Sequence, residues 1–128
     1  MSKQSLADDF GRALQSWNCE ATSEGLSFSG SYCFPADFLA FAGHFPGHAV
    51  LPAIVQLALV RHLAELSLAK KLVTRACERS KFRVVVGVDQ LLEVHGHLRD
   101  HDDGWQADFS LSSQDAQVAT GRLFLQEQ

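Results

Sequence analysis

The stretch Gly43-His44-Phe45-Pro46-Gly47-His48-Ala49-Val50-Leu51-Pro52 holds the residues best suited to chemistry. An imidazole stands in a loop punctuated by glycine and proline, shortly before an apolar segment that lacks both from Ala53 to Lys70. Such a loop can bring His44 beside the first amides of a helix. Unpaired backbone N–H groups and the helix dipole at that point hold developing negative charge. A base next to an oxyanion site suits removal of a proton alpha to a carbonyl. Taken alone, these residues leave the plainer alternative open, a histidine satisfied within its own loop.

The elements that must position this loop can be read from periodicity. Residues 1–24 read as a helical lead-in followed by a turn at Thr22–Gly25. Leu26, Phe28, Gly30, Tyr32 and Phe34 then alternate with Ser27, Ser29, Ser31 and Cys33, which is a half-buried strand ended by Pro35. Residues 35–52 are irregular and rich in aromatics, so this loop is expected to lie over a core.

Pro52 fits the first position of a helix running to about Lys70. Its first two turns are apolar on nearly every side, which predicts a buried helix. Strands follow at residues 72–86 and 91–99. The turn Asp102-Asp103-Gly104 joins the second of these to a strand at 105–112, and a last strand covers 118–125. The order is α+β, with an antiparallel sheet curling around one central helix.

Length and composition bound the function. The 128 residues, 46% hydrophobic, suit one domain spanning residues 1–128 with one core. A formal net charge of −4 argues against a general nucleic-acid binder. The longest apolar run, Ala49 to Val60, is shorter than the ~20 residues of a membrane span. The N-terminus shows no basic region followed by an apolar one, and the three cysteines have no paired spacing. A cytoplasmic location without membrane attachment is the expectation.

The motif G-H-F-P-G-x-x-V-L-P, followed by an apolar helix, resembles the bacterial 3-hydroxyacyl-acyl-carrier-protein dehydratases of the hot-dog fold, closest to the branch serving aryl-polyene and related secondary pathways. Arg79-Ser80-Lys81-Phe82-Arg83 and the region from Gly104 to Leu125 extend the likeness more weakly. The resemblance implies a dehydratase of fatty-acid or polyketide-type biosynthesis. It implies His44 as the base that takes the alpha proton of a thioester-bound 3-hydroxyacyl chain. Ala53 stands where the family has a glycine whose backbone N–H faces the thioester carbonyl, with Phe45, Pro46, Gly47, Pro52 and Ala58 lining the substrate site.

Ala58 is the departure. Fourteen residues beyond His44, the family carries a Glu or Asp that protonates the leaving hydroxyl. Losing a positioned general acid costs about 10²–10⁴-fold in rate. Gln56 lies about 200° round the helix from Ala58 and is expected to face away. His62 is one turn further on the same face, about 6 Å along the axis, and is the candidate replacement, with His48 as a second.

Three functions stay open: a dehydratase using His44 with His62 or a water as acid, a non-catalytic acyl-binding half of a mixed dimer, and a hot-dog thioesterase. No cofactor is implied. The partners implied are an acyl carrier protein or a coenzyme A thioester, and a second subunit, identical or homologous. His95 and His97 share a strand face with Glu93 and Arg99 and read as solvated rather than metal-binding. Arg79, Lys81 and Arg83 are expected to share a face as a basic patch suited to an acidic carrier, or simply as an exposed sheet surface.

Overall fold

A computed structural model describes residues 6–35, 51–87 and 89–128. A short helix, α1 (Leu6–Ala13), carries Asp8 and Asp9 in its first turn and Arg12 in its last, signs that suit the helix dipole. Strands β1 (Leu14–Thr22) and β2 (Gly25–Cys33) follow, then the long helix α2 (Ala53–Leu68). Strands β3 (Leu72–Phe82), β4 (Leu91–His101), β5 (Gly104–Ser113) and β6 (Ala116–Glu127) complete one antiparallel sheet in the order β1-β2-β4-β5-β6-β3. The expected α+β architecture is thus observed.

Cross-strand register explains how the core closes. Leu26, Phe28, Gly30 and Tyr32 sit opposite Leu98, Gly96, Val94 and Leu92, and the first three of these continue onto Ala107, Phe109 and Leu111 in turn. The ladder ends on Leu123, Gly121 and Ala119 of β6. Residues opposite one another share a face, so the alternating apolar sets form a single surface. Two glycines make room for rings: a Cβ at Gly96 would lie 2.2 Å from Phe28 Cζ, and one at Gly121 2.7 Å from Phe109 Cζ.

Helix α2 lays Gln56, Leu59, Val60, Leu63 and Ala64 on this surface, the i, i+3, i+4, i+7, i+8 stripe of one helix face. The sheet covers only that side. Ala53 and Ile54 are exposed, Ile54 by 77%, which corrects the expectation of a helix start buried all round. The one polar residue of these turns, Gln56, is instead buried.

Two further readings are corrected. Leu14–Thr22 is a strand, not part of a helical lead-in; a register shift between Leu14 and Ser16 breaks its alternation at the start. On β3, shifts at Thr74/Ala76 and Glu78/Lys81, with Arg79 at φ 56°, interrupt the strict alternation that would set Arg79, Lys81 and Arg83 on one face. The strand also ends at Phe82, and residues 83–85 leave the ladder with only the Arg83 N–H still bonded, to the Val118 carbonyl at 2.7 Å. The aromatic loop, with His44, Phe45, Pro46, Gly47, His48 and Ala49, lies outside the described residues.

Candidate active site

The chain enters α2 through Leu51 and Pro52. Leu51 donates its N–H to the Val86 carbonyl at 2.7 Å, which ties this entry to the segment leaving β3. Pro52 is the N-cap rather than the first helical residue, with φ −61° and ψ 153° and no side-chain cap bond. Its carbonyl accepts from both Val55 N–H and Gln56 N–H at 3.1 Å. The N–H groups of Ala53 and Ile54 precede the helical ladder and have no intrahelical acceptor. The start of α2 is thus an uncapped, electropositive terminus.

That terminus opens on a cleft of about 320 Å³. Leu51, Pro52, Ala53 and Gln56 form one wall, and Phe82, Arg83, Val84 and Val85 the other. Phe82, Val84 and Val85 are 40%, 41% and 64% exposed, an apolar wall open to solvent. Gln56 is 4% exposed; its Nε2 donates to the Leu51 carbonyl at 3.1 Å, and its Oε1 has no hydrogen-bond partner among the described residues. Sequence reasoning passed over this residue because it turns away from Ala58. The only available signal was a lone amide in an otherwise apolar helical stretch.

Ala58 is half-buried and packs on the edge of the core. On the helix wheel it lies opposite the Gln56 stripe. His62 is half-buried one turn on. Its Nδ1 is 2.8 Å from the Tyr32 hydroxyl, and its ring centroid is 5.4 Å from that of Phe10. Burial of Tyr32 raises its phenol far above the ordinary range, so the hydroxyl keeps its proton, and it donates to Nδ1 or accepts from it according to the His62 tautomer. Burial also lowers the His62 pKa below 6.5; Lys71 acts in the same direction and Glu65 against it.

His62 lines a second cavity, about 300 Å³, with Glu65, Leu66 and Ala69–Lys71. The structure therefore joins Pro52 and Ala53 in one cleft and places His62 in another. Ala58 lines neither. On β4, His97 Nε2 lies 3.0 Å from Thr22 Oγ1 and His95 is exposed. No cluster of His, Cys, Asp and Glu among the described residues could hold a metal ion. Nor is any helix among them long and apolar enough to cross a membrane.

Comparison with known proteins bears on this geometry. The family described as ApeI-like, ApeI dehydratase, matches residues 20–122. Among curated proteins, none matches the sequence. Among solved structures, an uncharacterized protein from Erwinia carotovora subsp. atroseptica superposes with a TM-score of 0.74 at 21% identity, over 90% of this chain and 95% of that one. The dehydratase heterocomplex ApeI:P from Xenorhabdus doucetiae follows with a TM-score of 0.67 at 20% identity, covering 86% and 95%. A hypothetical thioesterase from Streptococcus pneumoniae TIGR4, solved with coenzyme A, gives 0.61 at 15% identity, covering 96% and 95%. At these identities the structures share a fold, the hot-dog arrangement of an antiparallel sheet around a helix.

Proposed function

The chain belongs to the ApeI-like dehydratase family, and from that premise we propose that it acts on 3-hydroxyacyl chains held as thioesters on an acyl carrier protein or coenzyme A. The observation that carries this reading is the uncapped start of α2 opening on an apolar cleft.

In this reading the Ala53 N–H receives the thioester oxygen, where charge grows as the alpha carbon loses its proton. Pro52 holds that amide at the start of α2, and the resemblance assigns Phe45, Pro46 and Gly47 to the substrate site beside His44. His44 takes the alpha proton. The electrons of that C–H bond form the double bond, the C–O bond to the third carbon breaks, and the hydroxyl leaves as water after gaining a proton.

The source of that last proton is either His62 or a water. The His62 ring is engaged at Nδ1 by Tyr32, its lowered pKa keeps it neutral near pH 7, and it opens on the other cavity. Those features favour water as the donor, at the rate cost of an unpositioned acid. The test replaces His44 with Ala and follows dehydration of a 3-hydroxybutyryl carrier substrate. Loss of at least about 10²-fold is expected for removal of a general base; unchanged turnover excludes His44.

A second reading rests on Ala58. The family's acid position carries a methyl group, and Ile54 and Val85 beside the cleft are exposed. A chain of this kind would serve as the non-catalytic half of a dimer with a homologue that supplies the acid. Then the purified chain is inactive alone, while Ala58→Glu or the co-purified homologue gives turnover. In either reading the exposed edge strand β3 and the open cleft are completed by a second subunit, with the site at the boundary. A thioesterase, the third reading, would release free thiol from acyl-coenzyme A in a thiol-trapping assay.

A further inference from the structure

Three polar residues are buried among the described residues: Asp9, Gln56 and Ser113. Asp9 pairs with Arg12 at 3.4 Å, and the Ser113 hydroxyl donates to the Leu91 carbonyl at 2.6 Å and accepts from Gln90 at 3.0 Å. Gln56 is different. Its amide is oriented by the Leu51 carbonyl, since exchanging oxygen and nitrogen would set two acceptors against each other. The oxygen that this orientation leaves over has no partner among the described residues, although the residue is 4% exposed. A buried acceptor without a donor is a standing cost to the empty protein, removed when a donor arrives.

We propose that Gln56 is a specificity-determining residue of the cleft, whose Oε1 accepts the O–H of a hydroxyl on the third carbon of the acyl chain. The proposal rests on the reading of the cleft as an acyl-thioester site. Gln56 is three residues beyond Ala53, about 4.5 Å further along the helix axis and about 60° round it. Both line the same cleft. In a 3-hydroxyacyl thioester three carbons lie between the carbonyl oxygen and the hydroxyl oxygen. A carbonyl held at the first amide of α2 therefore brings the hydroxyl towards the next residue of the stripe. The side chains of Pro52, Phe82, Val84 and Val85 offer the hydroxyl nothing, and the exposed side chain of Arg83 carries no acceptor. An amide oxygen accepts but gives no proton. Gln56 thus selects the hydroxylated chain without replacing the missing acid.

The test compares 3-hydroxybutyryl-coenzyme A with butyryl-coenzyme A by calorimetric titration of the full chain carrying His44→Ala, which keeps turnover out of the measurement. The hydroxylated ligand is expected to bind several-fold tighter. Adding Gln56→Leu should lower its affinity about tenfold relative to butyryl-coenzyme A, because the hydroxyl is then buried without an acceptor. Gln56→Met, read in parallel, should shift the ratio in the same direction.

Equal affinity for the two ligands in the His44→Ala chain overturns the assignment without recourse to any Gln56 variant. So does a parallel loss of both ligands on Gln56→Leu, which would place the amide on the part of the thioester that they share. Failure to bind either ligand overturns the acyl-thioester reading itself, and the role of Gln56 with it.

Discussion

At the scale of single residues, the half-buried His62 is the group whose behaviour the structure specifies most fully. Its pKa is lowered from 6.5, first by burial and then by Lys71, so the folded chain binds a proton there less readily than the unfolded chain does. The His62 contribution to stability is therefore complete above about pH 6.5 and is lost as pH falls through the lowered folded-state value. Denaturation midpoints measured between pH 8 and pH 5 should fall towards acid, and His62→Gln should reduce that slope. An NMR titration placing the His62 midpoint above 6.5 would reverse the argument. Tyr32→Phe removes the hydrogen-bond partner of Nδ1 and should lower stability by about 0.5–1.5 kcal/mol in urea unfolding. The histidine was visible in the sequence at i+4 from Ala58. Its engagement by a tyrosine 30 residues earlier was not, because sheet register decides that meeting.

At the scale of elements, packing between β2 and β4 and between β5 and β6 depends on rings lying over glycines. Gly96→Ala puts a methyl group into the Phe28 ring, and Gly121→Ala into the Phe109 ring. Each should destabilise by about 1–3 kcal/mol, the usual range for overpacking a filled core. Gly11→Ala in α1 meets nothing within 4 Å and should stabilise by about 0.5–1 kcal/mol through helix propensity. Thermal unfolding of the three variants checks both signs. The inner faces of β2 and β4, and those of β5 up to Leu111 and β6 from Ala119, were readable because alternation survives there. The strand β1 was missed although Trp17, Cys19 and Ala21 alternate. The register shift at its start places Leu14 out of phase with them, so the strand blurs into the helix before it.

At the scale of the molecule, the apolar groups left uncovered are concentrated at one end of the site. Ile54, Phe82, Val84 and Val85 are exposed at the start of α2 and the end of β3, and β3 is an edge of the sheet. A second subunit would cover these groups and satisfy that edge. Sedimentation equilibrium should give twice the chain mass, or a complex with a homologue where one is co-expressed. Val85→Asp should shift the assembly to single chains that keep their far-UV circular dichroism. Persistence of the assembly in that variant would place the interface elsewhere. The expectation of a helix buried on all sides was correct about its composition but wrong for one chain, since a single curled sheet reaches only one side of it.

Local chemistry and periodicity were enough to determine the α+β architecture and the limits of α2 to within about two residues, because these depend on neighbours along the chain. Two decisions came from the tertiary structure alone. One was that Gln56, a residue lining the cleft, turns inward with an oxygen unpartnered among the described residues, while Ile54 turns outward. The other was that His62 opens on a different cavity from Ala53. Both depend on which side of the helix the sheet covers, and that follows from pairing between strands far apart in sequence.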